Sequence, residues 1–223
     1  LEFGKEIWLV LQIADSGFPT GGFAHSGGLE AAWQAGHVRT GPDLEHYLET
    51  QLTQLASASL PFLRASHVVP SRLGEIDATC DAFLSNHVAR RASCAQGRAF
   101  ALACKKAFAT SEASEVLRRI RGREIAGHFA PVFGVLLAAL QVEQSTAVHL
   151  FCFIALRGWM SAAIRLGIVG PLEAQGVQRR LGQNCACGLE NLHHDEETAA
   201  QTAPMLDLLQ GVQDRLYTRL FQS

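Results

Sequence analysis

Two apolar runs limit the folds open to this chain more than anything else in it. Residues 132–140 and 150–156 are hydrophobic at nearly every position, and each lies inside a longer helical segment, 129–142 and 146–169. A helix that is apolar all round has to be surrounded by other elements. Neither run is long enough for a bilayer crossing, which takes about 20 residues, and they contain or adjoin Gly134, His149 and Arg157. They therefore predict a central pair of helices inside a bundle.

The remaining segments supply the helices around that pair. Leu44, Leu48, Leu52 and Leu55 recur at three- and four-residue steps, the stripe of an amphipathic helix. Thr40 is placed to cap it, with Pro42 in its first turn and Asp43 and Glu45 near the positive end of its dipole. Pro61 divides it from a continuation over 62–69. Further helices are predicted over 6–14, 29–35, 71–84, 88–108, 114–125, 172–192 and 204–221. On 88–108 a stripe of mainly small residues, Val88, Ala92, Ala95, Ala99 and Leu102 or Ala103, is expected to face the core. Arg90, Arg91, Arg98, Lys105 and Lys106 take the other face. Alternating β-branched runs, Asn-Gly hairpins and repeats of fixed period are missing from the sequence. The expectation is an all-α, single-domain helical bundle of about eight to ten helices over residues 1–223.

With 48% apolar and 18% charged residues the chain is not of disordered composition. A net charge of −2 gives no footprint for nucleic acid or an anionic membrane. The six cysteines share no repeated spacing, which reads as free thiols in a reducing compartment, hence a cytoplasmic protein. Residues 1–5 lack the pattern of a signal peptide.

Chemistry is sought first in the loop at 15–30, which holds Gly17, Gly21, Gly22, Gly27 and Gly28 around Pro19, His25 and Ser26. No lysine follows the glycines and no strand precedes them, so neither a P-loop nor a dinucleotide fingerprint is met. His25-Ser26 invites a hydrolase reading, but Ala24 stands where a nucleophile elbow needs glycine, and adjacent side chains diverge on most backbones. The plainer expectation is that the glycines supply positive φ or close approach and that Ser26 caps the helix beginning at Leu29. Cys185 and Cys187, with His193, His194 and Asp195-Glu196-Glu197, offer metal-type ligands. Two thiols two residues apart on a helix diverge by roughly 200°, however, and the spacing is not that of a structural zinc site. The arginines at 90, 91, 98, 118, 119, 121 and 123 read as solvated faces or ion pairs. The residues thus leave two readings: a helical interaction protein, or a helical metal-binding protein or hydrolase using His25/Ser26 or the Cys/His run.

Four stretches taken in order carry a resemblance. They are Leu11-Gln12-Ile13-Ala14-Asp15-Ser16 running on through Pro19, Gly21-Gly22-Phe23, His25-Ser26 and Gly28-Leu29-Glu30; Ser85-Asn86-His87-Val88-Ala89-Arg90-Arg91-Ala92-Ser93 with Gln96-Gly97-Arg98; Gly127-His128-Phe129-Ala130-Pro131-Val132-Phe133-Gly134; and Leu206-Asp207 with Tyr217-Thr218-Arg219-Leu220-Phe221-Gln222-Ser223. Together they resemble the urease accessory protein UreF family over essentially the whole chain. The resemblance implies an all-helical, cytosolic, homodimeric protein that is not an enzyme and carries no cofactor. It implies binding to UreD (UreH in some organisms) and to the GTPase UreG, in an assembly that delivers nickel to apo-urease. By motif, Gly21, Gly22, Phe23, His25, Ser26, Gly28 and Glu30 match a surface the family uses near UreG or the dimer centre. Tyr217, Arg219, Leu220, Phe221 and Ser223 match the tail that docks on UreD. Arg90, Arg91 and Arg98 match the central helix, in packing or partner contact. Cys185, Cys187 and the His193-His194-Asp195 run lie outside that signature. On this reading, removal of 219–223 is expected to abolish UreD binding and leave the fold intact.

Overall fold

The structure, a computed structural model, describes residues 5–189 and 196–223, with side chains at 6–184 and 196–223. Eleven α-helices and no strand lie among the described residues. They are α1 (Lys5–Ala14), α2 (Leu29–Gln34), α3 (Gly41–Ala58), α4 (Leu60–Val68), α5 (Leu73–Phe83), α6 (His87–Phe108), α7 (Ser111–Arg121), α8 (Phe129–Ala139), α9 (Gln144–Arg165), α10 (Pro171–Leu189) and α11 (Pro204–Gly211).

Helices α8 and α9 occupy the centre, as their composition requires. Nine of the eleven residues of α8 are buried. Phe100 of α6 stacks on Phe133 at 4.8 Å, and Phe129, Phe133 and Phe151 pack on one another at 5.1–5.5 Å. Each buried aromatic contributes about 1.5–3 kcal/mol by removal from water, so this cluster is the main apolar anchor of one half of the core. A second cluster joins α2, α3, α9, α10 and α11, and Phe221 belongs to it. Helix α9 is long and apolar enough, by length and composition, to cross a membrane. Its most apolar window is 56% buried inside the bundle, which is the behaviour of a core helix.

The close approach of α8 to α4 depends on Gly134. A Cβ there would collide with the carbonyl oxygen of Leu63 and the hydroxyl of Ser66 on α4. Glycine lets the backbones of α8 and α4 touch, which explains a glycine in the middle of a helix despite its propensity cost of about 1 kcal/mol.

Several local signals act as read. Thr40 caps α3 and forms a capping box with Asp43. The break before Pro61 falls at Ser59, and Pro61 sits in the first turn of α4. Asn86 caps α6 by accepting from Val88 and Ala89 N–H. Three expectations change. Helix α7 starts three residues earlier than predicted because Thr110 caps it, and it ends at Arg121 ahead of Arg123 in left-handed backbone. The buried face of α6 runs through Val88, Ala92, Phe100, Ala103 and Cys104, so Val88, Ala92 and, of the two alternatives, Ala103 pack as expected, while Ala95 and the other alternative, Leu102, are exposed. Most consequentially, the helix predicted over 204–221 stops at Gly211. A single 3-10 turn, Gln213–Arg215, follows, and 216–223 is an irregular strap.

Candidate functional site

The strap lies on the glycine loop, so the first and last stretches singled out in the sequence form one site. Their junction is a set of backbone pairings. The Ser26 amide donates to the Ser223 carbonyl, and Gln222 N–H donates to Ala24 O at 2.8 Å. The Ser26 hydroxyl adds a second bond to Ser223 O at 3.0 Å and accepts from Glu30 N–H at 3.4 Å. Ser26 thus serves the first turn of α2 as expected, although the residue in the cap position is Gly28. Gly28 needs to be glycine: its φ is +88°, and a Cβ would stand 3.1 Å from the Gln210 backbone.

Glu30 is the centre of the junction. Its carboxylate is 1% exposed and accepts from Leu220 N–H at 2.7 Å, Phe221 N–H at 3.2 Å and the Gln213 side-chain amide at 2.6 Å. A buried carboxylate without such donors would be costly. This demand explains why the chain leaves the helix after Gly211: the amides of 220 and 221 are needed by Glu30 rather than by a helical ladder. Gln213 Oε1, on the same group, is the one buried polar side-chain atom without a partner among the described residues.

Helices α3, α6 and α9 hold the loop and the strap of the junction in place. From α3, Tyr47 and Gln51 donate to Gly27 O at 3.3 and 2.7 Å. From α6, Arg91 makes a two-pronged pair with Asp214 at 2.8–2.9 Å and reaches Gln222 O at 3.4 Å. Its hydrogen bonds hold the Asp214 carboxyl below the usual carboxylate range. From α9, the Arg165 guanidinium lies between the rings of Phe23 and Phe221, 4.3 and 4.2 Å from their centres, and donates to Phe23 O at 3.0 Å.

The predicted site residues therefore divide. Ser26, Gly28, Glu30, Phe221 and Ser223 are buried against one another and support the surface rather than form it. Gly21, Phe23, Tyr217, Arg219 and Leu220 are exposed on it, Tyr217 fully so. Gly22 and His25 are half-buried between. Of the arginines, Arg91 ties α6 to the strap. Arg90 pairs with Asp81 at 2.6 Å, and exposed Arg98 has no charged partner among the described residues. Removal of 219–223 would delete a core side chain, Phe221, and the two backbone donors to the buried Glu30 carboxylate, so a loss of stability is expected in place of an indifferent fold.

The hydrolase arrangement is not formed at His25-Ser26. His25 Nδ1 bonds to Ser223 Oγ at 2.6 Å, while the Ser26 hydroxyl is buried and engaged with Ser223 O and Glu30 N–H. Burial, and then the charge of Arg91, lower the His25 pKa, so its neutral form is favoured. Three metal-type side chains do not come together anywhere among the described residues. The side chains of Cys185 and Cys187, and His193, His194 and Asp195, lie outside the described residues. Cys80, Cys94, Cys104 and Cys152 are thiols and not disulfides, and burial pushes the Cys94 thiol up to about 11 and Cys104 to about 12. Such thiols are poor nucleophiles and poor ligands at neutral pH.

A second polar network went unread in the sequence. Buried Asp77 accepts from the amides of Ala126, Gly127 and His128 at 2.7–3.2 Å. Fully buried His128 joins Ser93 Oγ (3.1 Å) to Asp81 (2.9 Å), and the Ser93 hydroxyl also accepts from Phe129 N–H. These contacts fix the turn before α8 to α5 and α6. The signal was the Gly127-His128 pair, but its partners lie 35–51 positions upstream. Beneath the junction a cavity of about 230 Å³ is lined by His25, Gln51, Ser93, Trp159, Asp207 and Ser223 among others.

The profile of the UreF family matches residues 38–182. Urease accessory protein F of Arabidopsis thaliana is 35% identical over 221 residues, covering 97% of this chain and 92% of the relative. That of Oryza sativa subsp. indica is 32% identical over 220 residues, covering 96% and 84%. The urease accessory protein UreF of Actinobacillus pleuropneumoniae serotype 5b is 27% identical over 229 residues, covering 98% and 99%. The loop and the strap fall outside the profile match.

Proposed function

The chain belongs to the UreF family of urease accessory proteins, and from that premise we propose that it acts in urease maturation as a nickel-insertion chaperone through protein contacts. It binds UreD (or UreH) and the GTPase UreG, works as a cytoplasmic homodimer, and has no catalytic centre or cofactor of its own. The nickel is cargo, passed to apo-urease.

One observation carries the reading: the loop–strap junction presents Phe23, Tyr217 and Leu220 to solvent on a support of buried hydrogen bonds. Exposed apolar side chains held on a rigid base are what a protein partner buries. The hydrogen bonds of His25 and Ser26 run to Ser223 and serve the junction, so the two do not pair as base and nucleophile.

Reconstitution tests it. Apo-urease is incubated with nickel, bicarbonate, GTP, UreD and UreG, with and without this chain, and urease activity is followed. Activation is expected only with the chain present. A Tyr217→Ala/Leu220→Asp variant is expected to retain its fold and lose copurification with UreD. Full activation without the chain, or unchanged copurification of that variant, overturns the reading.

A further inference from the structure

We propose that the exposed face of α6 is a second docking surface, one that receives an acidic amphipathic helix of a protein partner. It stands apart from the role proposed above and rests on three features of α6 and its neighbour α1.

The first is charge. Helix α6 carries five arginines and lysines and no Asp or Glu in its 22 residues. Arg91, Arg98 and Lys105 are seven residues apart, so they share one face at steps of about 10 Å. Arg91 is paired with Asp214, but Arg98, Lys105 and Lys106 have no carboxylate within ion-pairing distance among the described residues. The second is Leu102, which stands between Arg98 and Lys105 on that face and is 49% exposed. The third is a groove beside Lys106. Ala103 of α6 and Phe18 and Pro19 of the loop line it, together with Leu11 and Trp8 of α1; Gln12 and Asp15 line it too, so the occupant meets it with an apolar side chain and not with a carboxylate, and Trp8 is 75% exposed.

Cations at heptad spacing, an apolar residue between them and an apolar groove at one end together specify the occupant. It is a helix with carboxylates at the same seven-residue step and a large apolar side chain for the groove. Phosphate backbones and anionic bilayers fit less well. They favour dense clusters of cations, whereas here the charges are spread over four helical turns around an exposed leucine. A second copy also fits less well, because much of this chain's surface acid is already paired. Glu115 and Glu124 hold Arg118, Glu75 and Glu196 hold Arg72, and Glu45 holds Arg180.

Fluorescence polarisation of a labelled helical peptide of about 20 residues, with Glu at seven-residue steps and Leu between, tests this against an isomer whose Glu residues are moved to the opposite face. The matched peptide is expected to bind about tenfold more tightly than the isomer. Arg98→Glu/Lys105→Glu is expected to lose about tenfold, with unchanged circular dichroism and unfolding midpoint, since Arg98 is exposed and Lys105 half-buried, and neither has a charged partner among the described residues. Raising salt from roughly 0.05 to 0.3 M is expected to weaken binding several-fold, and Trp8 fluorescence is expected to shift on binding. Absence of saturable binding, equal affinity for the two peptides, or indifference to the charge reversal overturns the proposal. So does tighter binding of a DNA duplex or of phosphatidylserine vesicles, and so does loss of self-association in the reversed variant, which would assign the face to a second copy.

Discussion

Glu30 shows what a single residue decides in this chain. Its two oxygens accept two donors from the strap and one from Gln213 in the turn before it, none of which it could have found in its own helix. Glu30→Gln replaces one acceptor oxygen by an amide that faces a donor, so at least one buried N–H loses its partner. The cost is about 1–3 kcal/mol, to be read as a lowered denaturation midpoint; an unchanged midpoint would mean that the strap is not held by this carboxylate. His25 adds a pH term of known sign. Its folded-state pKa lies below the ordinary 6.5 because burial, and then Arg91, disfavour the charged ring. As pH falls the unfolded chain takes up the proton first, so the His25 contribution is complete above about 6.5 and is lost as pH drops through the folded value. Between pH 7.5 and 5.5 the unfolding midpoint should fall, and His25→Gln should fall less; equal losses in both would remove His25 from the account. The sequence marked both residues as special. What it could not show was that their partners lie at 213–223, because a loop's contacts depend on the tertiary fold and not on local pattern.

Elements were far more legible than contacts. The apolar segments around 132 and 150, the Thr40 cap and the Pro61 break are local signals, and each produced the expected helix or boundary. Two failures share one cause, which is that spacing was taken as burial. Leu208, Val212, Leu216 and Leu220 have helical spacing, yet the chain unwinds after Gly211 because the buried Glu30 carboxylate takes amides that a helix would have used internally. Ala95 fits a small-residue stripe, yet the packing of Phe100 onto Phe133 sets the rotation of α6 so that Ala95 faces solvent and Ala103, not Leu102, is the packed alternative. Glycines separate the two kinds of helical interface. Gly134→Ala would drive a methyl into the α4 backbone and is expected to destabilise the fold by about 3 kcal/mol. Gly182→Ala, on α10 with nothing within 4 Å of the added atom, is expected to stabilise it by about 0.5–1 kcal/mol. Chemical denaturation of the pair distinguishes close approach from simple propensity, and equal effects would contradict the α4–α8 contact.

At the scale of the molecule, the strap is both a covering of the core and a carrier of surface. Phe221 is 4% exposed within the cluster of α2, α3, α9, α10 and α11, whereas Tyr217, four residues earlier, is fully exposed. One short segment therefore couples stability to surface shape: whatever presents Tyr217 and Leu220 has to keep Phe221 and Ser223 inside. Deleting residues 216–223 removes a buried aromatic, leaves the Glu30 carboxylate without its two backbone donors, and frees Arg91 and Arg165 from carbonyls they bind. The apolar part alone is about 1.5–3 kcal/mol, and the orphaned buried carboxylate adds about 1–3 kcal/mol. The deletion should therefore lower stability by roughly 3–5 kcal/mol, whereas Tyr217→Ala should stay within about 0.5 kcal/mol of the parent. If the deleted chain unfolds at the same denaturant concentration as the full one, the strap is only a surface feature and the coupling fails. If it is destabilised while Tyr217→Ala is not, loss of partner binding on deletion cannot be read as evidence for direct contact. Exposed-residue variants, not truncations, are then the ones that locate the partner.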